Sequence, residues 1–455
     1  MVRDTGKYKM DMCTGALLPK ILMFTFPLMF SSILQLLFNA ADIVVVGKFA
    51  GDTALAAVGC TSSLINLITN LFIGLSVGAN VLAARFFAAK REDELSATVH
   101  TSILVSVVCG VVLAVVGCFG AYTFLSWMGT PENVHALATT YLRIYFLGMP
   151  AMMLYNYGAS ILRAVGDTRR PLYYLLFAGV INVLLNLFFV IVLKLSVAGV
   201  ALATVISQCV SAFLVIRCLM GERDGLRLEI NKLRIDPGKL KQLIQIGLPA
   251  GVQGVLFSLS NVIIQASVNS FGDTIIAGNS AAANIEGFVW VSMNAFSQAS
   301  MAFTSQNYGA GKQERINKTL WVSELCVIVT GVVLGNLVVL LAGPLLYIYT
   351  DSADVVAAGV DRLNVICKTY ALCGMMDVCV GALRGIGYSI MPTIVTLIGV
   401  CGLRLIWIFT AFQTPRFHTT TWLFITYPAS WFITFVVLLI VFIIIRRRQL
   451  RGGIG

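Results

Sequence analysis

The sequence predicts an all-α integral membrane fold, twelve transmembrane helices in two pseudo-symmetric six-helix lobes, and three observations carry that reading. Of 455 residues, 58% are hydrophobic and 12% charged, and the mean hydropathy is +0.88; the charged fraction is about half that of a soluble domain. The apolar residues gather into about twelve runs of roughly 20 to 30, each long enough for a helix to cross a bilayer. The chain also matches itself at a shift of about 221 residues.

Hydrocarbon offers no water to backbone N–H and C=O groups, so spanning segments are helices or strands of a closed barrel. Continuous apolar runs select helices, because barrel strands alternate over about ten residues. The first run, from about Leu17 to Val46, contains Pro27 and Asp42 and is too long for a cleavable signal peptide, so it reads as the first span. Spans are expected to begin near residues 17, 54, 96, 133, 171, 197, 242, 277, 316, 354, 390 and 419. This divides the chain into a cytoplasmic segment 1–16, an N-terminal lobe 17–220, a cytoplasmic linker 221–241, a C-terminal lobe 242–446 and a cytoplasmic tail 447–455.

The net charge of +11 raises the question of a nucleic-acid partner, which the placement of the basic residues answers. Arg85, Lys90 and Arg91 follow the second span, Arg169 and Arg170 the fourth, a run from Arg217 to Lys241 the sixth, and Lys312, Arg315 and Lys318 the eighth. Arg446, Arg447 and Arg448 follow the last. Basic loops on alternate sides place both termini in the cytoplasm of a multi-pass plasma-membrane protein and need no nucleic acid. Most of the eleven cysteines lie within apolar spans and form no CxxC pair, so they read as small core residues; His100, His135 and His418 are too scattered for a metal site.

The repeat appears in several places at once. FPLMFSSILQLLFN from Phe26 aligns with LPAGVQGVLFSLSN from Leu248, pairing Pro27 with Pro249, each a candidate helix bend. LRAVGDTRRP from Leu162 aligns with LRGIGYSIMP from Leu383, pairing Arg163 with Arg384, whose place at cytoplasmic helix ends fits a gate or a topology signal. An even number of spans per half makes the repeats parallel, related by an axis along the membrane normal, an arrangement that favours rocking about a central site.

An ionisable group inside a span is costly and is read first as functional. Asp42 lies among Ala, Val and Ile, a setting that disfavours its charge unless donors or a cation compensate; its repeat equivalent is Ile264. Asn182 and Asn186 are four apart on one face of the fifth helix, and Thr204 lies on the sixth. Together the four offer oxygen acceptors suited to a proton or to Na⁺, or else ordinary interhelical hydrogen bonds. In the second half, Glu286, Lys368, Asp377 and Arg404 are intramembrane candidates; Asp377, Arg404 and Glu286 make a possible polar site, with Asp377 placed to pair with Arg404 or Lys368. No GxxxxGK[ST], HExxH or DDxxD-like pattern occurs, so the energy source reads as an ion gradient and no enzyme chemistry or cofactor is expected.

Over about residues 15 to 446 the chain resembles multidrug and toxic compound extrusion (MATE) transporters of the prokaryotic branch. The resemblance rests on FPLMFSSILQLLFNAADIVVVGKFAG, on LRAVGDTRRP, on VINVLLN followed by GVALATVISQ, and on the second-half echoes LPAGVQ and ALRGIG. It implies a monomeric antiporter in the lipid bilayer that exports small amphipathic, cationic organic compounds in exchange for H⁺ or Na⁺ by alternating access. The family's first-helix acid then corresponds to Asp42, its fifth-helix Asn to Asn182 and its sixth-helix Thr to Thr204. Asn186 stands where relatives often carry a second carboxylate, and Asp377 lies one turn from the second-lobe acid of another branch, so that role is not carried over. A lipid-linked oligosaccharide flippase of similar plan is the rival reading, but it needs a strongly cationic cavity and few Arg or Lys lie within these spans.

Overall fold

The computed structural model describes residues 8–451, and among them the regular structure is helical throughout. The spans are α1 Leu17–Phe49, α2 Asp52–Ala88, α3 Glu92–Trp127, α4 in two pieces Glu132–Leu147 and Met149–Ala164, α5 Arg169–Leu187 continued by a π turn Phe188–Val192, and α6 Ser196–Met220. The second half has α7 Pro237–Asn269, α8 Asp273–Gly309, α9 Gln313–Leu340, α10 Ala353–Ile366 continued through a 3₁₀ turn by Tyr370–Gly385, α11 Ile390–Phe409 with a π turn at Leu397–Gly402, and α12 Thr420–Arg451. Several helices open up to a turn or so before their apolar runs. Asp52, Glu92 and Asp273 lie in those first turns, where a carboxylate meets the positive end of the helix dipole.

Ten of these helices are, among the described residues, individually long and apolar enough to cross a membrane. The other two differ for visible reasons. Helix α4 is divided at Gly148, ahead of Pro150, which cannot donate a backbone N–H to the ladder. Helix α8 carries Asn279, Glu286, Ser292, Ser300 and Thr304, all buried inside the protein rather than facing lipid.

The duplication is repeated in backbone geometry. Gly166 and Gly387, which align in the two halves, turn the chain into α5 and α11 with φ of 89° and 98°, the left-handed region that a side chain disfavours. At Gly166 a Cβ would also lie 2.6 Å from the Cβ of Met10.

The chain forms two compact units. The first takes Asp11 and the described residues before it together with Phe30–Val252; the second takes Met12–Met29 and the described residues from Gln253 on. Helices α1 and α7 therefore each change unit within a turn of Pro27 and Pro249, inside helices that stay continuous. In the first unit, α2 and the start of α7 approach so closely that a Cβ on Gly74 would lie 2.3 Å from the Cα of Gly251. The first unit also holds the extended start of the chain: Met10 N–H donates to the Val165 carbonyl at 3.2 Å, and the buried Glu222 binds Lys9 at 3.1 Å and Arg170 at 2.6 Å. Arg170 also pairs with Asp167, whose carboxyl burial pushes above its ordinary value. In the second unit Arg315 donates to the carbonyls of Met12, Thr14 and Gly15 at 3.1, 2.8 and 2.9 Å, and Phe24 packs edge-on against Phe303.

Candidate functional site

In the first unit, α1, α5 and α6 bring together the four residues that the sequence pointed to. Asn182 and Asn186 stand one turn apart on α5, 5% and 1% exposed, so their amides need partners inside the helix bundle. They find them in the cluster itself. The Asn186 amide N–H₂ donates to the Asp42 carboxylate and, at 3.3 Å, to Asn182 Oδ1; Asn182 Nδ2 lies 3.4 Å from Thr204 Oγ1. The Thr204 hydroxyl, which donates to the Val200 carbonyl at 3.0 Å, also lies beside the Asp42 carboxylate. Two residues after Asn186 the helix widens into the π turn at Phe188–Val192, a distortion that recurs at functional positions.

Asp42 is half-buried, and among the described residues no Lys or Arg lies within ion-pair distance of it; Lys48 forms no such pair. The cluster has a surplus of acceptors. Asn186 Oδ1 is buried without a hydrogen-bond partner, and so is Oε1 of Gln208, one turn beyond Thr204 on α6. Tyr141 and Tyr145 of α4, stacked at 5.9 Å, stand around the same carboxylate. Sequence reasoning missed Gln208, Tyr141 and Tyr145, although i,i+4 spacing from Thr204 and between the tyrosines was a usable signal.

In the second unit the candidate polar site separates into distinct groups. Glu286 is bound by Arg362, Nε to Oε1 at 2.7 Å and Nη2 to Oε2 at 2.9 Å, while Arg362 Nη1 donates to Asn279 Oδ1 at 2.6 Å. Lys368, six residues after Arg362, is exposed, and among the described residues it forms no ion pair with Asp377. Nor does Asp377 pair with Arg404: the opposite charge that acts on it is Arg384, which donates through Nη2 to Gln253 Oε1 at 2.8 Å. The position equivalent to Asp42, Ile264, lies in an apolar cluster with Val268, Ile408, Phe412 and Leu423. Glu324 on α9 was overlooked in the apolar run LWVSELCVIV: it is 3% exposed, accepts from the Cys379 thiol at 3.3 Å, and its Oε2 has no partner. Arg163, half-buried at the end of α4, makes contacts within the protein.

A family model described as MatE matches residues 27–188 and 249–410, once in each half. The probable multidrug resistance protein YoeA of Bacillus subtilis is 29% identical over 391 residues, covering 84% of this chain and 84% of that protein. The probable multidrug resistance protein YpnP of the same organism is 26% identical over 398 residues, covering 87% and 88%. Among solved structures, a crystal structure of MATE in the bent conformation superposes with a TM-score of 0.87 at 20% identity, covering 95% of this chain and 96% of that one.

Proposed function

Because the chain belongs to the MatE family across both of its halves, we propose that it is a multidrug efflux protein: a secondary active antiporter that exports small amphipathic organic compounds against an inward flow of H⁺ or Na⁺. It is a multi-pass membrane protein. It works as a monomer in the cell membrane, with both termini cytoplasmic, and carries no cofactor.

One observation supports the coupling scheme above the others: a carboxylate within a membrane span accepts from an asparagine amide and lies beside a threonine hydroxyl, with no Lys or Arg among the described residues within ion-pair distance and a buried amide oxygen unsatisfied. In low dielectric such a carboxylate stays charged only at a cost. A proton removes the charge and converts one acceptor into a donor for Asn186 Oδ1. Na⁺ instead draws on the oxygens of Asp42, Asn182, Asn186 and Thr204, a hard-ligand set with a single negative charge. Either ion changes the hydrogen bonding of α1 against α5 and α6, and through it which side of the membrane the substrate path faces. Occupancy by the ion is coupled to substrate release, and loss of the ion to the cytoplasm resets the cycle.

The test is transport of a panel of cationic dyes by proteoliposomes under separately imposed H⁺ and Na⁺ gradients. Wild type exports dye under at least one gradient, and Asp42→Asn, present in the membrane at the wild-type level, exports none. Full gradient-driven export by that variant overturns the assignment.

A further inference from the structure

We propose that the second unit holds a binding site, centred on Arg404, for the anionic group, carboxylate or phosphate, of an aromatic amphiphile. The proposal rests on the export reading above and deepens it by naming a class of compound.

Arg404 of α11 is 4% exposed. Its Nε donates to Ser430 Oγ at 2.9 Å, and its guanidinium lies over two rings of α12, 4.0 Å from the Tyr427 centroid and 5.6 Å from that of Trp431. Tyr370 of α10 packs against Trp431 at 5.2 Å and extends the aromatic wall. Arg404 Nη2 is buried without an acceptor. Two further donors nearby share that condition. Trp407 Nε1 is one helical turn along α11, and the Ser260 hydroxyl of α7 lies beside Cys401, itself next to Arg404.

The charges around Arg404 leave it uncompensated. Arg362, which shares the Tyr427 ring at 5.5 Å, is already neutralised by Glu286. Asp377 faces Arg384, and the groups that α10 and α11 place next to Arg404 are the phenol of Tyr370 and the thiols of Cys373 and Cys401. Among the described residues no carboxylate lies within ion-pair distance of Arg404. A buried guanidinium without a counter-charge is expensive, and its planar fork matches carboxylate and phosphate oxygens.

The surroundings of Asp42 and Arg404 thus have opposite deficits. Around Asp42 there are acceptors without donors, in Asn186 Oδ1 and Gln208 Oε1; around Arg404 there are donors without acceptors. The first calls for a cation. The second calls for an acceptor-rich anion, and rings on α10 and α12 can stack on its aromatic body.

The experiment titrates the full-length protein, reconstituted in phosphatidylcholine vesicles, with 1-naphthoate and with 1-naphthylmethylammonium, two aromatic probes of similar size and opposite charge, by calorimetry. Naphthoate binds saturably to wild type, about tenfold or more weaker to Arg404→Gln, and with intermediate affinity to Arg404→Lys. Trp407→Phe and Ser260→Ala each weaken it by about threefold, and none of the four variants changes binding of the ammonium probe. Naphthoate binding that is absent, or equal in Arg404→Gln, overturns the proposal. Should Arg404→Gln fail to fold, wild-type affinity in both Trp407→Phe and Ser260→Ala overturns it. Repeating the titration with phosphatidylglycerol in the vesicles separates two sources of anion: unchanged affinity assigns the site to a soluble compound, and Arg404-dependent competition puts a lipid headgroup there and overturns the exported-compound reading. Asp42→Asn keeps naphthoate binding while losing coupled efflux, so failure of the coupling scheme and failure of this site are distinguishable.

Discussion

Replacing Glu286 by Gln tests whether the Glu286–Arg362 pair holds the second unit together. The two side chains are 8% and 7% exposed, and Arg362 spends three donors on this neighbourhood, two on the carboxylate at 2.7 and 2.9 Å and one on Asn279 at 2.6 Å. Glutamine keeps one acceptor oxygen, but its amide N–H₂ meets a guanidinium donor, and the Arg362 charge is left without a carboxylate, against Asn279 Oδ1 and the faces of Phe424 and Tyr427. Stranding a buried charge in this way costs about 3 to 5 kcal/mol. For a unit of about two hundred residues that is a fall of about 6 to 20 °C in unfolding temperature. Removing both charges at once, as Glu286→Met with Arg362→Met, strands nothing and is expected to recover most of the loss. Thermal unfolding in detergent across the double-mutant cycle measures this, and dye export by the double variant reports whether either charge is needed for transport. A fall under about 2 °C for Glu286→Gln, or a double variant less stable than Glu286→Gln, refutes the reasoning.

Asn186→Asp puts a second carboxylate against Asp42; two unit charges about 4 Å apart repel by about 4 kcal/mol at an effective dielectric of 20, which a bound Na⁺ relieves, so apparent Na⁺ affinity is expected to rise about tenfold or more. Unchanged Na⁺ dependence in proteoliposomes would place the ion elsewhere. Glu324→Gln removes a buried carboxylate whose one hydrogen-bond partner among the described residues is the Cys379 thiol and which pairs with no cation among them, so the unfolding temperature should move by less than about 4 °C. Asp167 supplies a pH dependence: its carboxyl is raised by burial, so the folded protein binds that proton more tightly than the unfolded chain. The stability this contributes is complete below 3.8 and is lost as pH rises through the raised value, a slope that Asp167→Asn should flatten in unfolding temperature measured against pH.

How much of this was legible beforehand depended on whether a feature is local along the chain. The helices around Leu17–Phe49 and Arg169–Val192 follow from continuous apolar runs, because a lipid-spanning backbone has only itself to hydrogen-bond. The acidic first turns at Asp52 and Asp273, each following a glycine, are repeated in both halves and readable as sequence. In the candidate site, Asp42 was legible as a charge in an apolar run, and Asn182 with Asn186 as neighbours on one helical face. Glu324 was equally legible in principle and was passed over.

The sequence by itself determined the number and order of the spans, the duplication, and the residues whose polarity has to be compensated somewhere inside the bundle. Only the tertiary structure decided with what. Glu286 meets Arg362, Asp42 meets Asn186, and Arg404 meets aromatic rings instead of Asp377. The physical reason is that a helix's apolar content is set residue by residue, whereas the compensation of a buried charge depends on which faces of distant helices are pressed together, and that is a property of packing.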